Sequence, residues 1–175
     1  FTGDAFAEGA VTILDVLAAR RVTAAFSLTG GFLRNEAFGP LVRRMIADGH
    51  LVGPHSDRHL LYADWKDRDR TLVSEDRFRR DLEDNLRELE RFGVRSAGVR
   101  YWVPPYEWYN REVAAWSTKM GLQVFTFTPG PRANADYTGE ADANFVSSEA
   151  IVRSVLDRER QDPHGLNGFV LLLHL

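Results

Sequence analysis

Apolar positions recur along this chain at two alternating spacings. In residues 9–20, Ala10, Ile13, Leu14, Leu17 and Ala18 return three and four apart, the period of one helix face. Residues 22–28 are an apolar run with β-branched and aromatic members, closed by Thr29-Gly30-Gly31, and predict a strand. Leu41, Val42, Met45 and Ile46 set a helix over 38–49, with Gly49 as its stop, and Leu51-Val52 end a brief strand. Residues 63–70 are charged and irregular, a surface loop that carries Trp65. The longest helix spans 74–92 on a stripe of Phe78, Leu82, Leu86 and Leu89. Its remaining Arg, Asp and Glu positions read as a solvated face. A strand within 94–103 ends at Pro104-Pro105-Tyr106. Asn110 then caps a helix over 110–120 that turns Val113, Trp116 and Met120 inward. A strand over 122–127 gives way to a polar excursion, 131–144, too long for a minimal αβ connection and so a candidate functional loop. Ser147 or Ser148 caps a helix to about residue 160. Residues 168–173 are almost wholly apolar, as in a strand covered on both faces.

Strands that alternate with helices imply βα units and a parallel sheet, open or closed into a barrel. With no break and no internal repeat, the 175 residues read as one domain, and 44% hydrophobic content is enough to build its core. The first residues resemble the tail of one strand and the last ones another, so the expectation is a piece of a longer chain. A net charge of -3 and a pI near 6.0 give no electrostatic reason to expect nucleic acid or an anionic membrane surface. No apolar run approaches the ~20 residues that would insert into a bilayer. The chain has no cysteine, so any metal would be held by His, Asp or Glu, and the compartment stays open.

The polar residues fall in a pattern of their own. Asp4, Thr29, His55, Tyr106, Thr128 and His174 each come at or just past the C-terminal end of a predicted strand, the edge where parallel βα folds build their sites. In Gly53-Pro54-His55-Ser56-Asp57-Arg58-His59 the two histidines would stack on one face if the segment turned helical, and Pro54 suits the first turn of such a helix. With Asp4 they make a two-histidine, one-carboxylate set, which leaves coordination positions open for water and substrate. The plainer alternatives are solvated loop histidines and a turn aspartate. His174 follows five apolar residues, which suits either a proton donor or a satisfied core histidine. His50 and His164 lie in turns and receive no role.

In this order the residues resemble the motifs of the polysaccharide deacetylases, the NodB-homology carbohydrate esterases of family 4. Phe1-Thr2-Gly3-Asp4 looks like a variant of the opening Thr-Phe-Asp-Asp. His55-Ser56-Asp57-Arg58-His59 fits His-[Ser/Thr]-x-x-His, Val103-Pro104-Pro105-Tyr106 stands where Arg-x-Pro-Tyr is usual, and Leu171-Leu172-Leu173-His174 matches Leu-Leu-x-His. The resemblance implies a distorted (β/α) barrel of about seven parallel strands. It also implies one divalent metal ion, zinc above others, on Asp4, His55 and His59, and hydrolysis of N- or O-acetyl groups on a carbohydrate by metal-activated water. His174 would be the acid that protonates the leaving group, and the backbone N–H of Tyr106 would help stabilise the oxyanion. A secreted, periplasmic or cell-envelope setting would follow.

Two positions depart from the family pattern. Gly3 stands where the general base is expected, and Val103 replaces the arginine that supports it. The fourth motif is represented at best by Asn134-Ala135-Asp136-Tyr137. Asp57, between the histidines, would project to the opposite face of a helical turn. The replacement base is therefore Glu107, which directly follows the Pro-Pro-Tyr turn, or Asp136, or none. Tyr106, Trp108, Tyr109 and Trp102, with Trp65 nearby and Asp136, are the candidate sugar-facing residues, although each aromatic could equally turn inward. The competing function is a catalytically silent carbohydrate- or metal-binding member of the same fold.

Overall fold

A computed structural model of the protein describes residues 1–175. Five short strands alternate with six helices: β1 (Thr2–Gly3), α1 (Ala10–Arg20), β2 (Ala25–Leu28), α2 (Gly30–Arg34), α3 (Gly39–Ala47), β3 (Leu51–Pro54), α4 (Glu75–Glu90), β4 (Tyr101–Trp102), α5 (Arg111–Lys119), β5 (Gln123–Val124) and α6 (Ser148–Gln161). Local chemistry explains most of the boundaries. Ser74, Asn110 and Ser147 accept backbone N–H groups of Arg77, Val113 and Ala150 as N-caps. Glu75 and Asp76 add negative charge to the first turn of α4, where the helix dipole favours it. No helix is long and apolar enough to cross a membrane.

All strand pairs are parallel. β1, β2 and β3 form one sheet in that order, with Gly3 level with Leu28 and Leu28 level with Pro54. β4 and β5 form a second sheet. The two meet where the Val103 N–H donates to the Pro54 carbonyl (3.3 Å) at the end of β3. The expected α/β class with parallel strands is therefore present, but with five strands rather than about seven. Within the predicted strand of 94–103, Ser96–Gly98 forms a 3-10 turn and only Tyr101–Trp102 pairs. Residues 168–173 make no strand. Val170 exchanges both its backbone groups with Thr128, its N–H donating to Oγ1 (3.1 Å) and its carbonyl accepting the N–H (3.0 Å), so the run is tied at one residue instead of along a ladder.

The chain divides into two compact units, Phe1–Phe125 with Leu175, and Thr126–His174. In the first, Leu14, Phe26, Leu28, Phe32, Val42 and Met45 form one core between β1–β3 and α1–α3. Tyr62, Phe78, Leu82, Trp102, Val113 and Trp116 form a second core around α4 and α5. Trp102 is thus not a sugar-facing residue: it is 1% exposed, with its indole N–H donated to Ser117 Oγ (3.1 Å). On β4, alternation sends Tyr101 outward and Trp102 into the core.

Candidate functional site

Three strand ends carry the histidine–carboxylate set. Because Gly3, Leu28 and Pro54 are level across β1–β3, the residues that follow, Asp4, Thr29 and His55, emerge side by side. Thr29 donates its hydroxyl to Asp4 Oδ1 (2.9 Å) while its oxygen caps α2 by accepting the Phe32 N–H (3.0 Å). Asp4 Oδ2 lies 4.0 Å from His59 Nδ1.

His55 and His59 do come together, with ring centroids 5.0 Å apart, but not on a helical turn. Residues 55–62 are neither helix nor strand, and Ser56 (φ 69°) and His59 (φ 51°) both take the left-handed conformation. The chain reverses tightly between the two rings, at a cost of about 1–2 kcal/mol for each such residue.

Neighbouring groups hold this loop. His55 is 2% exposed and its Nδ1 lies 2.8 Å from the Val103 carbonyl. A carbonyl has no proton to give, so Nδ1 carries the hydrogen, and any lone pair the ring offers is on Nε2. The His55 N–H donates to Asn85 Oδ1 (2.9 Å), and Asn85 Nδ2 donates to the Leu28 carbonyl (3.1 Å), so one amide of α4 spans the ends of β2 and β3. The His59 N–H donates to Ser56 Oγ (2.9 Å), and Ser56 bonds to Tyr62. Tyr62 donates to Asp81 Oδ2 (2.6 Å), which also accepts the Asp57 N–H (3.2 Å). Burial, reinforced by the Asp81 charge, raises the Tyr62 phenol well above its ordinary pKa, so it remains a donor.

Asp57 itself is buried and paired with Arg34 (2.5 and 3.2 Å). A buried carboxylate held by a guanidinium is poorly placed to take a proton from water, and the loop around it is not the helical turn the sequence suggests. Gly30 is required beside it, because a Cβ there would come within 1.8 Å of Asp57 Oδ1.

Asp81 and Asn85 escape a reading of the sequence. Four apart and flanking the stripe of α4, they look like part of its charged face, yet they are 3% and 0% exposed. Replacing Tyr62 by Phe should destabilise the protein by about 1–3 kcal/mol, since it strips a donor from a buried carboxylate whose Oδ1 already has no hydrogen-bond partner. Urea denaturation would measure the loss. Faster hydrogen exchange at the His59 amide would place it in the loop, and unchanged stability and exchange would show that the hydroxyl holds nothing.

The donor set of Asp4, His55 and His59 has the chemistry a divalent ion needs, with one imidazole tautomer fixed from behind. As the side chains stand, no three His, Asp or Glu groups form a ready cage. Asp4 is the member with room to move, its side chain being 47% exposed.

Beyond His59 the surface becomes aromatic. The Tyr106 ring lies 4.5 Å from that of His59, and Trp65 lies 5.6 Å from Tyr106. Tyr106 and Glu107 take φ of 60° and 53° in succession, a second strained turn. Trp108, Tyr109 and Glu107 are half-buried. Where a base is expected, Gly3 is closed off: a Cβ would meet Leu28 and Leu175 at 3.0 Å and Phe32 at 3.1 Å.

In the second unit Asp136 accepts the His174 N–H at Oδ2 (2.8 Å) and faces its Nδ1 with Oδ1 (2.6 Å). Asp136 is thus paired with His174 through both of its carboxylate oxygens. The edge of the Tyr137 ring also packs against His174, at 5.3 Å. Thirty-eight residues separate the pair, and no periodicity links them.

Comparison with known proteins gives a consistent result. A family model described as polysaccharide deacetylase matches residues 3–125. A chitooligosaccharide deacetylase of Sinorhizobium fredii is 30% identical over 165 residues, covering 93% of this chain and 63% of that protein. The crystal structure of wild-type BA3943 from Bacillus anthracis, a CE4 family pseudoenzyme, superposes with a TM-score of 0.72 at 19% identity, over 99% of this chain and 53% of that one. Peptidoglycan deacetylase PdaC of Bacillus subtilis superposes at 0.67, with 23% identity, over 90% and 66%. The chain spans 38% to 63% of the length of the first two curated relatives it matches, the shorter match being to an uncharacterized 30.6 kDa protein of Geobacillus stearothermophilus.

Proposed function

Because this chain belongs to the polysaccharide deacetylase family, we propose that it hydrolyses N- or O-acetyl groups of a carbohydrate, with one divalent metal ion, zinc by preference, on Asp4, His55 and His59. The observation that carries the metal assignment is the His55 Nδ1 contact to the Val103 carbonyl, which leaves Nε2 as the donor. When bound, such an ion supplies polarisation of the acetyl carbonyl and a water of lowered pKa. Residues 1–175 act as one catalytic domain in this reading, its strands part of a barrel of about seven. The TM-score of 0.72 over 99% of the chain supports the shared fold and says nothing of catalysis.

The remaining steps fall to side chains. With Nδ1 committed to Asp136, His174 has Nε2 left to hand a proton to the leaving nitrogen or oxygen. The Tyr106 N–H stabilises the oxyanion as the family resemblance implies, and Tyr106, Trp108 and Tyr109 face the sugar. The attacking water must also lose a proton, and neither Gly3 nor Val103 can accept it. Glu107 takes that place, in the strained turn next to Tyr106. Glu107→Gln keeps the shape and removes the acceptor, so kcat should fall by about 10²-fold or more with metal stoichiometry unchanged. Turnover near wild type would reject the role.

Acetate release from a panel of acetylated sugars by metal-loaded protein tests the whole reading. A second reading, a silent sugar- or metal-binding member, is favoured by one observation: the place of the usual base is filled with apolar groups around Gly3. Sugars that bind without release of acetate under any metal would establish it.

A further inference from the structure

Six asparagines occur in the chain, and only Asn167 precedes a glycine. The pair forms the middle of a turn over residues 166–169, closed by the Phe169 N–H on the Leu166 carbonyl (3.0 Å), with Gly168 at φ 78°. A positive φ at the third residue is the type II arrangement, in which the central peptide takes no part in the closing bond. The Gly168 N–H accordingly has no hydrogen-bond partner in the protein, nor does the Asn167 side chain, and both residues are exposed. A Cβ built at Gly168 would meet nothing within 4 Å, so the space beside its nitrogen is open.

The flanks of this turn are fastened. The Leu166 N–H donates to Glu159 of α6, the Arg158 guanidinium lies over the Phe169 ring at 5.1 Å, and Val170 is tied to Thr128 through both backbone groups. A free backbone nitrogen thus follows an uncommitted primary amide in a turn pinned on both sides. No other position combines these features. In Asp48-Gly49 the glycine N–H donates to the Ile46 carbonyl (3.1 Å), and Arg44 holds the Asp48 carboxylate (3.3 Å). After Asn134 and Asn144, the N–H groups of Ala135 and Phe145 donate to the Arg132 and Asp142 carbonyls (3.0 Å each), and both residues carry a side chain that crowds the approach.

We propose that Asn167 is a self-modification site, where attack by the Gly168 nitrogen on the side-chain amide converts the residue to aspartate and isoaspartate. The nitrogen gives its proton to solvent and bonds to Asn167 Cγ, ammonia leaves, and a succinimide ring closes. Water then opens the ring, so the net change is water taken up and ammonia released, with no oxidant or cofactor. Opening at Cγ gives aspartate. Opening at the main-chain carbonyl gives isoaspartate, whose backbone runs through Cβ and Cγ and is longer by one methylene. That extra atom lies three residues before Val170 and frees the 168–173 run from Thr128. This chemistry is independent of the reaction proposed above.

Incubation of the purified protein at mildly alkaline pH, followed by peptide mass mapping and enzymatic methylation of isoaspartyl groups, tests it. Asn167 should exchange its amide for an acid and its peptide should take up the methyl label, while Asn167→Gln protein should do neither. Asp48→Asn supplies a second Asn-Gly pair whose glycine nitrogen is bonded. In urea the two pairs should convert at like rates. On folding, the pair at position 48 should slow by about fivefold or more and the pair at 167 by less than about twofold, since one hydrogen bond on the attacking nitrogen is worth a factor of that order. Equal slowing of both pairs, or no conversion at 167, overturns the site. Hydrogen exchange at the Thr128 and Val170 amides should quicken in aged wild type and stay slow in fresh Asn167→Asp, which carries the charge without the methylene. Exchange unchanged by ageing overturns the release of the 168–173 run and leaves the modification standing.

Discussion

Replacing His59 with alanine should abolish stoichiometric binding of a divalent metal while the fold survives. Changing a group behind a ligand already costs about 10–100-fold in metal affinity. Removal of one of three protein ligands should exceed that and take binding below detection in equilibrium dialysis. His59 is the cleaner probe, because its side chain is 22% exposed and makes its ring contact with Tyr106 at the surface. His55→Ala should give the same loss of metal, but His55 is buried against Val103 and Asn85, and its truncation also costs stability. Comparing thermal unfolding of the two metal-free variants separates ligand loss from structural loss. Imidazole must be unprotonated to bind a metal, so affinity should fall on acidification from about pH 7 to about pH 5. Metal held equally at both pH values, or retained by His59→Ala, would remove the histidines from the site.

His174→Ala should lower kcat by about 10²–10⁴-fold with metal binding and KM little changed. The size follows from the pairing with Asp136, which fixes the ring through both the backbone N–H and Nδ1 and leaves a single nitrogen for proton transfer. Asp136→Asn should reduce kcat in the same direction by releasing the ring while preserving bulk. If His174→Ala loses metal as well as turnover, the residue is a ligand. If it loses only folding stability, measured in denaturant, it is a half-buried structural histidine and the proton comes from elsewhere.

Much of the frame can be read from residues alone, because caps and stops are local. Ser74, Asn110 and Gly49 bound their helices by chemistry that needs no partner beyond a few residues. The histidine spacing likewise points to two rings brought together, and they do meet, but in a loop and not on a helical turn. Two left-handed residues achieve by a tight reversal what a helical turn was expected to do, and nothing in the side chains of Ser56 or His59 announces a positive φ. Long-range pairings left no trace. Asp136 looks like a loop carboxylate until His174 is brought to it, and Asp81 and Asn85 look solvated until the 55–62 loop covers them. Trp102 illustrates a third limit. A two-residue strand is too short for alternation to reveal which of Tyr101 and Trp102 faces inward, and the answer depends on α5 supplying Ser117.

The apolar closure around Gly3 couples that position to its neighbours. An aspartate placed there alone would push against Leu28, Phe32 and Leu175 and would set a buried charge among hydrocarbon, costs of about 1–3 kcal/mol for the overpacking before the charge is counted. Smaller neighbours without the aspartate would leave a void. Neither change is favourable before the other, so placing a carboxylate at position 3 takes a paired substitution, the aspartate together with a smaller residue at position 28, 32 or 175, and the two changes should be strongly non-additive in stability.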